Sequence, residues 1–581
     1  MSPSHAHTLL AHSLVIGLTG HRHLREADIP ALQGAVRRFF ADLQARYPEL
    51  PLVLLSPLAE GSDQLVTQVA LELGLRVIAP LPLPLELYRG DFENPQDLQR
   101  LDAQLAQVEW LELPLARGMT RESVEVRGPS RDRQYAQAGI FISRHCHVLL
   151  ALWDGDESEQ VGGTAHVMRF HLQGTQRDDV ERRHAAATLL GPDKENIVYH
   201  ILTSRSLTNR SVANRHVAAS PAEPHGRWLT DDADVDDETM ETSAMLPQVF
   251  AQMFERQAAF STDVQEYATQ IDAQADVSSD AAACPVWRAF RAADWLARTY
   301  QRRVARVLLT TYVLVALMGF TFFAYTDVMS NDVVIYGFLL FFMTGMGVTA
   351  IASRRAWQRK YLDYRTLAEG LRVQSYWRRA GIVTTGTSAF AQDNFLQKQD
   401  VELGWIRNVM RGASLDGMLA PATAHAADVD AVIREWIGTP GSGGQLAYYT
   451  DASKRRSLLH HRAERWGRVC IGLGVGLSVL LALMARQFDV QLKQALVSVM
   501  GLLSVAAAVH EAYVHKKADK ELIRQYRFMQ RIFVSAQRRL DGGAGLEERK
   551  RILFALGEAA LTEHAEWTLM HRERPLPRSR I

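Results

Sequence analysis

The sequence predicts an α/β domain, a parallel sheet with helices on both faces, followed by an α-helical membrane region of four transmembrane helices in two repeated hairpins. Three observations carry this. Apolar strand-like runs alternate with helical stretches over the first 205 residues, four long apolar stretches lie between 307 and 510, and the second pair repeats the first at an offset of 162 residues.

The alternation begins with LVIGLTG at 14–20, continues through LVLLSPLA, RVIAPLPL and HVLLALWDG, and ends with IVYHILTS at 197–204. Helical stretches such as IPALQGAVRRFFADLQARY and DQLVTQVALELG separate the runs. Strands joined by helices form parallel sheets covered on both faces. Ligands of such sheets bind beyond the carboxyl ends of the strands, so the loops there hold the candidate site. The first loop contributes Gly17, Thr19, Gly20, His21 and Arg22, and the second Glu60, Gly61, Ser62 and Asp63. The run LLALWDG ends in Asp154 and Gly155, and then Gly162, Gly163 and Thr164 open the next helix. Any one glycine loop is an ordinary tight connection. Three at one sheet edge, each leading into a helix, let backbone N–H groups approach an anion. His21 and His23 lack a third ligand, so no metal site is expected.

Charge narrows the partners. Lys plus Arg equals Asp plus Glu at 65 each, which names no nucleic-acid partner. The cysteines Cys146, Cys284 and Cys470 lack disulfide-framework or zinc-ligand spacing. The first thirty residues lack the basic, apolar and small-residue order of a secretory signal, so the N-terminus is expected in the cytoplasm.

Residues 307–326 and 333–353 are charge-free and have the ~20 residues needed to cross a bilayer core. Residues 469–485 and 494–510 are shorter, but the offset of 162 lays VARVLLTTYV on WGRVCIGLGV and SRRAWQRKYLDYR on HKKADKELIRQYR without a gap. A hairpin followed by a long polar helix therefore occurs twice. Basic outer flanks, with Arg298, Arg302, Arg303 and Arg306 before the first hairpin and Arg354, Arg355, Arg359 and Lys360 after it, predict cytoplasmic N- and C-termini. Tyr364–Arg365 and Tyr526–Arg527 fall at equivalent places and are expected either to couple sensor and hairpins or to pack the helix bundle. The remaining segments are an acidic linker with connecting helices at 206–300, whose DDADVDDETMET reads as a tether, and an inter-repeat cytoplasmic stretch at 381–460 with a breaker at TPGSGG. The membrane modules then occupy 301–380 and 461–581.

VIGLTGHRHL, SPLAEGSDQLVTQVALELGLRVIAPLPLP, YRGDF and WDGDESEQVGGTAHV resemble a SLOG domain, a Rossmann-like nucleotide-sensing superfamily. The membrane repeats, above all YLDYRTLAEGLRVQSYWRRAG, resemble SLATT-type two-helix modules of bacterial conflict systems. The resemblance implies a nucleotide-ligand sensor controlling a membrane effector in antiviral defence, with a nucleotide or ADP-ribose-type signal, a homo-oligomeric assembly and a bacterial inner-membrane location. Hydrolase members of the superfamily have a Glu soon after their Gly-Gly-x-Gly-Thr loop. Here Gly162-Gly163-Thr164 continues Ala165-His166-Val167, which favours sensing. The alternatives are a membrane-anchored nucleotide- or NAD-processing enzyme using Glu60, Asp63 or Asp154, and a constitutive channel or scaffold.

Overall fold

A computed structural model describes residues 9–116, 118–155, 162–173, 196–204, 226–230, 241–273, 284–327, 332–382, 395–396, 401–420, 428–438, 443–484, 486–517 and 519–572. Asp156, most of the acidic segment 231–242 and the breaker at 439–442 lie outside the described residues. The chain divides into two compact units, one comprising 1–293, 370–375 and 383–426, the other 294–369, 376–382 and 427–581.

The first unit is built on eight strands, β1 (Leu14–Gly20), β2 (Leu52–Leu55), β3 (Arg76–Leu81), β4 (Glu109–Glu112), β5 (Val148–Trp153), β6 (Val198–Leu202), β7 (Gly226–Thr230) and β8 (Glu241–Ser243). Their order is β4-β3-β2-β1-β5-β6-β7-β8. Pairing is parallel from β4 to β6 and antiparallel for β7 and β8. The order reverses beside β1, whose two neighbours are β2 and β5, so loops from both directions open there at the carboxyl edge. β1, β2 and β5 are apolar and buried along their length except for Gly20, as strands covered on both faces require.

The helices of this unit are α1 (Ile29–Arg46), α2 (Ser62–Glu72), α3 (Leu85–Arg89), α4 (Pro95–Leu105), α5 (Arg121–Glu125), α6 (Pro129–His145), α7 (Thr164–Gln173), α8 (Gln248–Glu266) and α9 (Ala268–Ala273). The α/β region extends past residue 205, where the sequence alone ended it, because β7 and β8 continue the sheet and α8 joins the same unit, with Phe254 against Tyr47 and Phe260 against His12 and Trp405. Residues 404–419, read from sequence as inter-repeat, also belong here. Their apolar residues Trp405, Ile406, Val409 and Met410 are buried. The helix is tied to the sheet by His147, which accepts the Val15 N–H at 3.2 Å with Nδ1 and lies 3.1 Å from the Asn408 carbonyl with Nε2. Asp416 accepts the Leu10 N–H at 2.6 Å.

The second unit contains the two hairpins. Helices α10 (Pro285–Asp327), α11 (Asp332–Arg354) and α12 (Trp357–Arg379) form the first repeat. After α13 (Gly404–Leu419) and α14 (Val429–Val432), helices α15 (Gly444–Met484), α16 (Val490–Lys517) and α17 (Asp519–Asp541) form the second, and α18 (Leu546–Arg572) follows. At the offset of 162, α12 lands on α17 end to end. Among the described residues, four helices are long and apolar enough to cross a membrane. Large side chains such as Leu340 and Leu483 are exposed on them by 63% and 80%, the arrangement expected of lipid-facing surface. Hydroxyls such as those of Thr344 and Ser478 are satisfied within the helix: Thr344 donates to the Leu340 carbonyl at 2.7 Å, and Ser478 to that of Gly474 at 2.9 Å. Spans α10 and α16 meet at small residues. A Cβ on Gly319 would lie 2.5 Å from Val505, and one on Gly501 would lie 3.0 Å from Phe323.

Candidate functional site

Beyond the ends of β1, β2 and β3 lies a cavity of about 640 Å³. The three loops predicted at this edge are tied together before they reach it. Ser62 donates both its hydroxyl (2.9 Å) and its backbone N–H (3.0 Å) to the His21 carbonyl. Gly61 holds the second loop at φ +79°, where a Cβ would strike the Arg22 carbonyl oxygen, so the close approach requires glycine. The loop after β5 is tied through His21. Its Nε2 accepts the Asp154 N–H at 3.0 Å and lies 3.1 Å from Asp154 Oδ1.

Arg22 reaches the cavity wall with its guanidinium 5.0 Å from the Tyr135 ring centre, a cation–π contact. Arg22 is exposed, and the partial desolvation it meets at the wall disfavours its charge, yet the phenols of Tyr135 and Tyr88 and the carboxylate of Asp91 outweigh this and hold its pKa above the ordinary value. Asp91 is neutralised elsewhere, since Arg131 lies 2.9 Å from it and the Tyr135 hydroxyl donates to it. Arg131 also donates to the carbonyls of Val124 (2.6 Å) and Leu87 (2.8 Å), so its role is structural. Arg127 pairs with Glu93 at 2.9 Å on the rim.

Helices α6 and α7 bring Gly128, Gly163 and Thr164 to the wall with their first turns, and helix N-termini carry partial positive charge. Gly162, at φ +79°, gives its N–H to His166 Nδ1 at 2.9 Å, fixing the turn. The opposing groups are acidic. Asp63 is 5% exposed, accepts the Ala59 N–H at 3.2 Å, and has its pKa pushed up to about 7 by burial. Burial also raises Glu60, which accepts the Glu93 N–H at 3.2 Å. One side of the cavity thus suits an anion, and the other suits hydroxyl or N–H donors.

Of the residues expected from sequence, Thr19, Gly20, His21, Arg22, Glu60, Asp63, Gly162, Gly163 and Thr164 line the cavity. Gly17, Gly61, Ser62, Asp154 and Gly155 are not among its lining residues. Gly17 is mid-strand, where a Cβ would lie 2.7 Å from Ile142 and 2.8 Å from Cys146, so its role is helix-on-sheet packing. Gly61 and Ser62 serve the loop latch, and Asp154 orients His21. Sequence reasoning did not anticipate Tyr88, Asp91, Arg127, Arg131 or Tyr135. The available signal was Arg131 and Tyr135, which share one helix face at i and i+4, with YRGDF opposite. Among the described residues no group of three His, Cys, Asp or Glu is placed to hold a metal ion. The chain matches no known protein family and no curated protein.

Proposed function

We propose that the chain is a nucleotide-ligand sensor controlling a membrane effector of SLOG–SLATT type, pore-forming or membrane-disrupting, in bacterial defence. The observation that carries the reading is a strand-end cavity combining Arg22 with the first turns of α6 and α7, in a chain with four helices able to cross a membrane. Its volume falls in the ~300–1,000 Å³ range of small-molecule sites. The phosphates of a nucleotide or ADP-ribose derivative would lie against Arg22 and Gly163–Thr164, with sugar hydroxyls toward Glu60 and Asp63. The protein acts as a homo-oligomer in the bacterial inner membrane with both termini cytoplasmic, and the ligand biases an opening by binding one conformation better than the other.

The test is thermal-shift binding of cyclic oligonucleotides and ADP-ribose derivatives to purified protein, followed by dye leakage from proteoliposomes with the binding compound. A shift with ligand-dependent leakage supports the reading, and binding without leakage removes the effector half. Asp63 supports a second reading, that of an anchored nucleotide- or NAD-processing enzyme, because a carboxyl titrating near 7 suits general acid–base work. Turnover of the bound compound, abolished in Asp63→Asn, would favour it.

A further inference from the structure

The two hairpins share a fold but differ in charge at the foot, where the spans emerge. Residues 295–362 contain eight Lys or Arg and no acid except Asp327 and Asp332 at the opposite tip. The antiparallel register, with Gly337 beside Thr321 and Gly345 beside Leu314, brings Arg354 level with Arg306. The foot is closed by α12, whose Trp357 lies 5.9 Å from the Arg303 guanidinium, while Tyr300 lies 5.0 Å from it. Ala356 at φ +49° breaks the helix between α11 and α12 and leaves Arg354 and Arg355 exposed. Asp294, the nearest acid toward the N-terminus, holds Arg298 at 2.7 Å and Arg365 at 3.3 Å. No described carboxylate lies within ion-pair distance of Arg302, Arg306, Arg354 or Arg355.

The second foot carries its own counter-charge. Glu464 stands where Arg302 stands in the first repeat, and it takes Lys520 at 3.0 Å and His460 at 3.1 Å. Arg465 and Arg468 there have no described carboxylate within ion-pair distance either, so the feet differ by the acid at the Arg302 position, which the first foot lacks. Aromatic side chains beside an arginine cluster at a membrane interface suit phosphate headgroups.

We infer that the foot of the first hairpin, through Arg302, Arg306, Arg354 and Arg355, is a binding surface for anionic phospholipid headgroups. The inference is independent of the ligand cavity. The full chain would be reconstituted with equal amounts of phosphatidylglycerol and phosphatidylcholine, and co-purifying lipid counted by native mass spectrometry. The wild type should retain phosphatidylglycerol in excess. Each cation removed should lower that excess by about five-fold, so Arg354→Gln with Arg355→Gln, and Arg302→Glu, should remove it. The exposed double variant carries the test should Arg302→Glu fail to fold. Equal retention of the two lipids by the wild type, or undiminished excess in the folded double variant, overturns the inference. Displacement of bound phosphatidylglycerol by millimolar inorganic phosphate assigns the patch to soluble phosphate and overturns it as well.

Discussion

Arg365 of α12 pairs with Asp294 of α10 at 3.3 Å. In the second repeat the position of Asp294 is taken by Arg456, which pairs across to Asp519 of α17 at 3.1 Å. Each long polar helix is thus clamped to the helix entering its own hairpin by an ion pair, with the sign exchanged between repeats. Arg365 also approaches Glu369 at 3.7 Å, whereas the sequence-equivalent Arg527 is exposed.

The two arginines are therefore expected to differ. Arg365→Ala leaves two largely buried carboxylates short of a partner, a loss of about 3–5 kcal/mol when one member of a buried pair is removed. Arg298 still holds Asp294, which places the expectation at the lower end. Arg527→Ala should stay within about 0.5 kcal/mol. Melting in detergent measures both, and equal losses would show that the repeat relation, rather than the ion pair, sets the energetics.

The topology follows from the basic feet. Reporters fused after Met329 and after Phe488 should both lie on the side opposite the termini. Met329 lies outside the described residues, so that arm rests on sequence. The tip near Phe488 carries Arg486, Asp489 and Lys493 and is the more demanding test. A reporter there on the side of the C-terminus removes the second hairpin from the membrane.

Gly61 and Arg22 separate fold from ligand contact. Gly61→Ala combines a left-handed backbone with a clash against the Arg22 carbonyl, so soluble, monodisperse protein should be lost. Arg22→Ala removes a charge-assisted contact worth ~1.5–3 kcal/mol while the latch from Ser62 to the His21 carbonyl remains. Melting temperature without ligand should hold, and affinity for the ligand found by thermal shift should fall at least ten-fold. An unchanged affinity would remove Arg22 from the site.

The contrast shows what the sequence discloses. The alternation of strands and helices, the hairpin repeat and the glycine loops at the strand ends were legible because hydrophobic period and glycine placement are local. The membership of α13 in the α/β unit was not. Its contacts from Asp416 to Leu10 and from Asn408 to His147 join residues hundreds of positions apart. The same holds for Tyr135 and Arg131, whose partner Asp91 lies on another loop. Gly61 and Ser62 drew notice as ligand groups because a turn that cradles an anion and one that packs on a neighbouring loop use the same residues.

Asp63 ties stability and binding to pH. Its pKa in the folded chain, about 7, lies above the ordinary 3.8 because burial penalises the carboxylate. The folded state therefore binds the proton more tightly than the unfolded state, and the stabilising effect is complete below about pH 4. It declines as pH rises toward 7, by up to roughly 4 kcal/mol. Asp416 and Glu563, also raised to about 7 by burial, titrate in the same window with the same sign, so the wild-type profile alone does not isolate Asp63. Asp63→Asn does, because its side-chain oxygen still accepts the Ala59 N–H without charge. The variant should match the wild type near pH 4 and exceed it in melting temperature at pH 8. A negative charge at Asp63 also opposes a phosphate-bearing ligand, so wild-type affinity should fall between pH 6 and pH 8 while that of the variant stays level. Parallel melting profiles for the two proteins across this range would show that Asp63 is ionised throughout and that the cavity wall is wetter than its 5% exposure indicates.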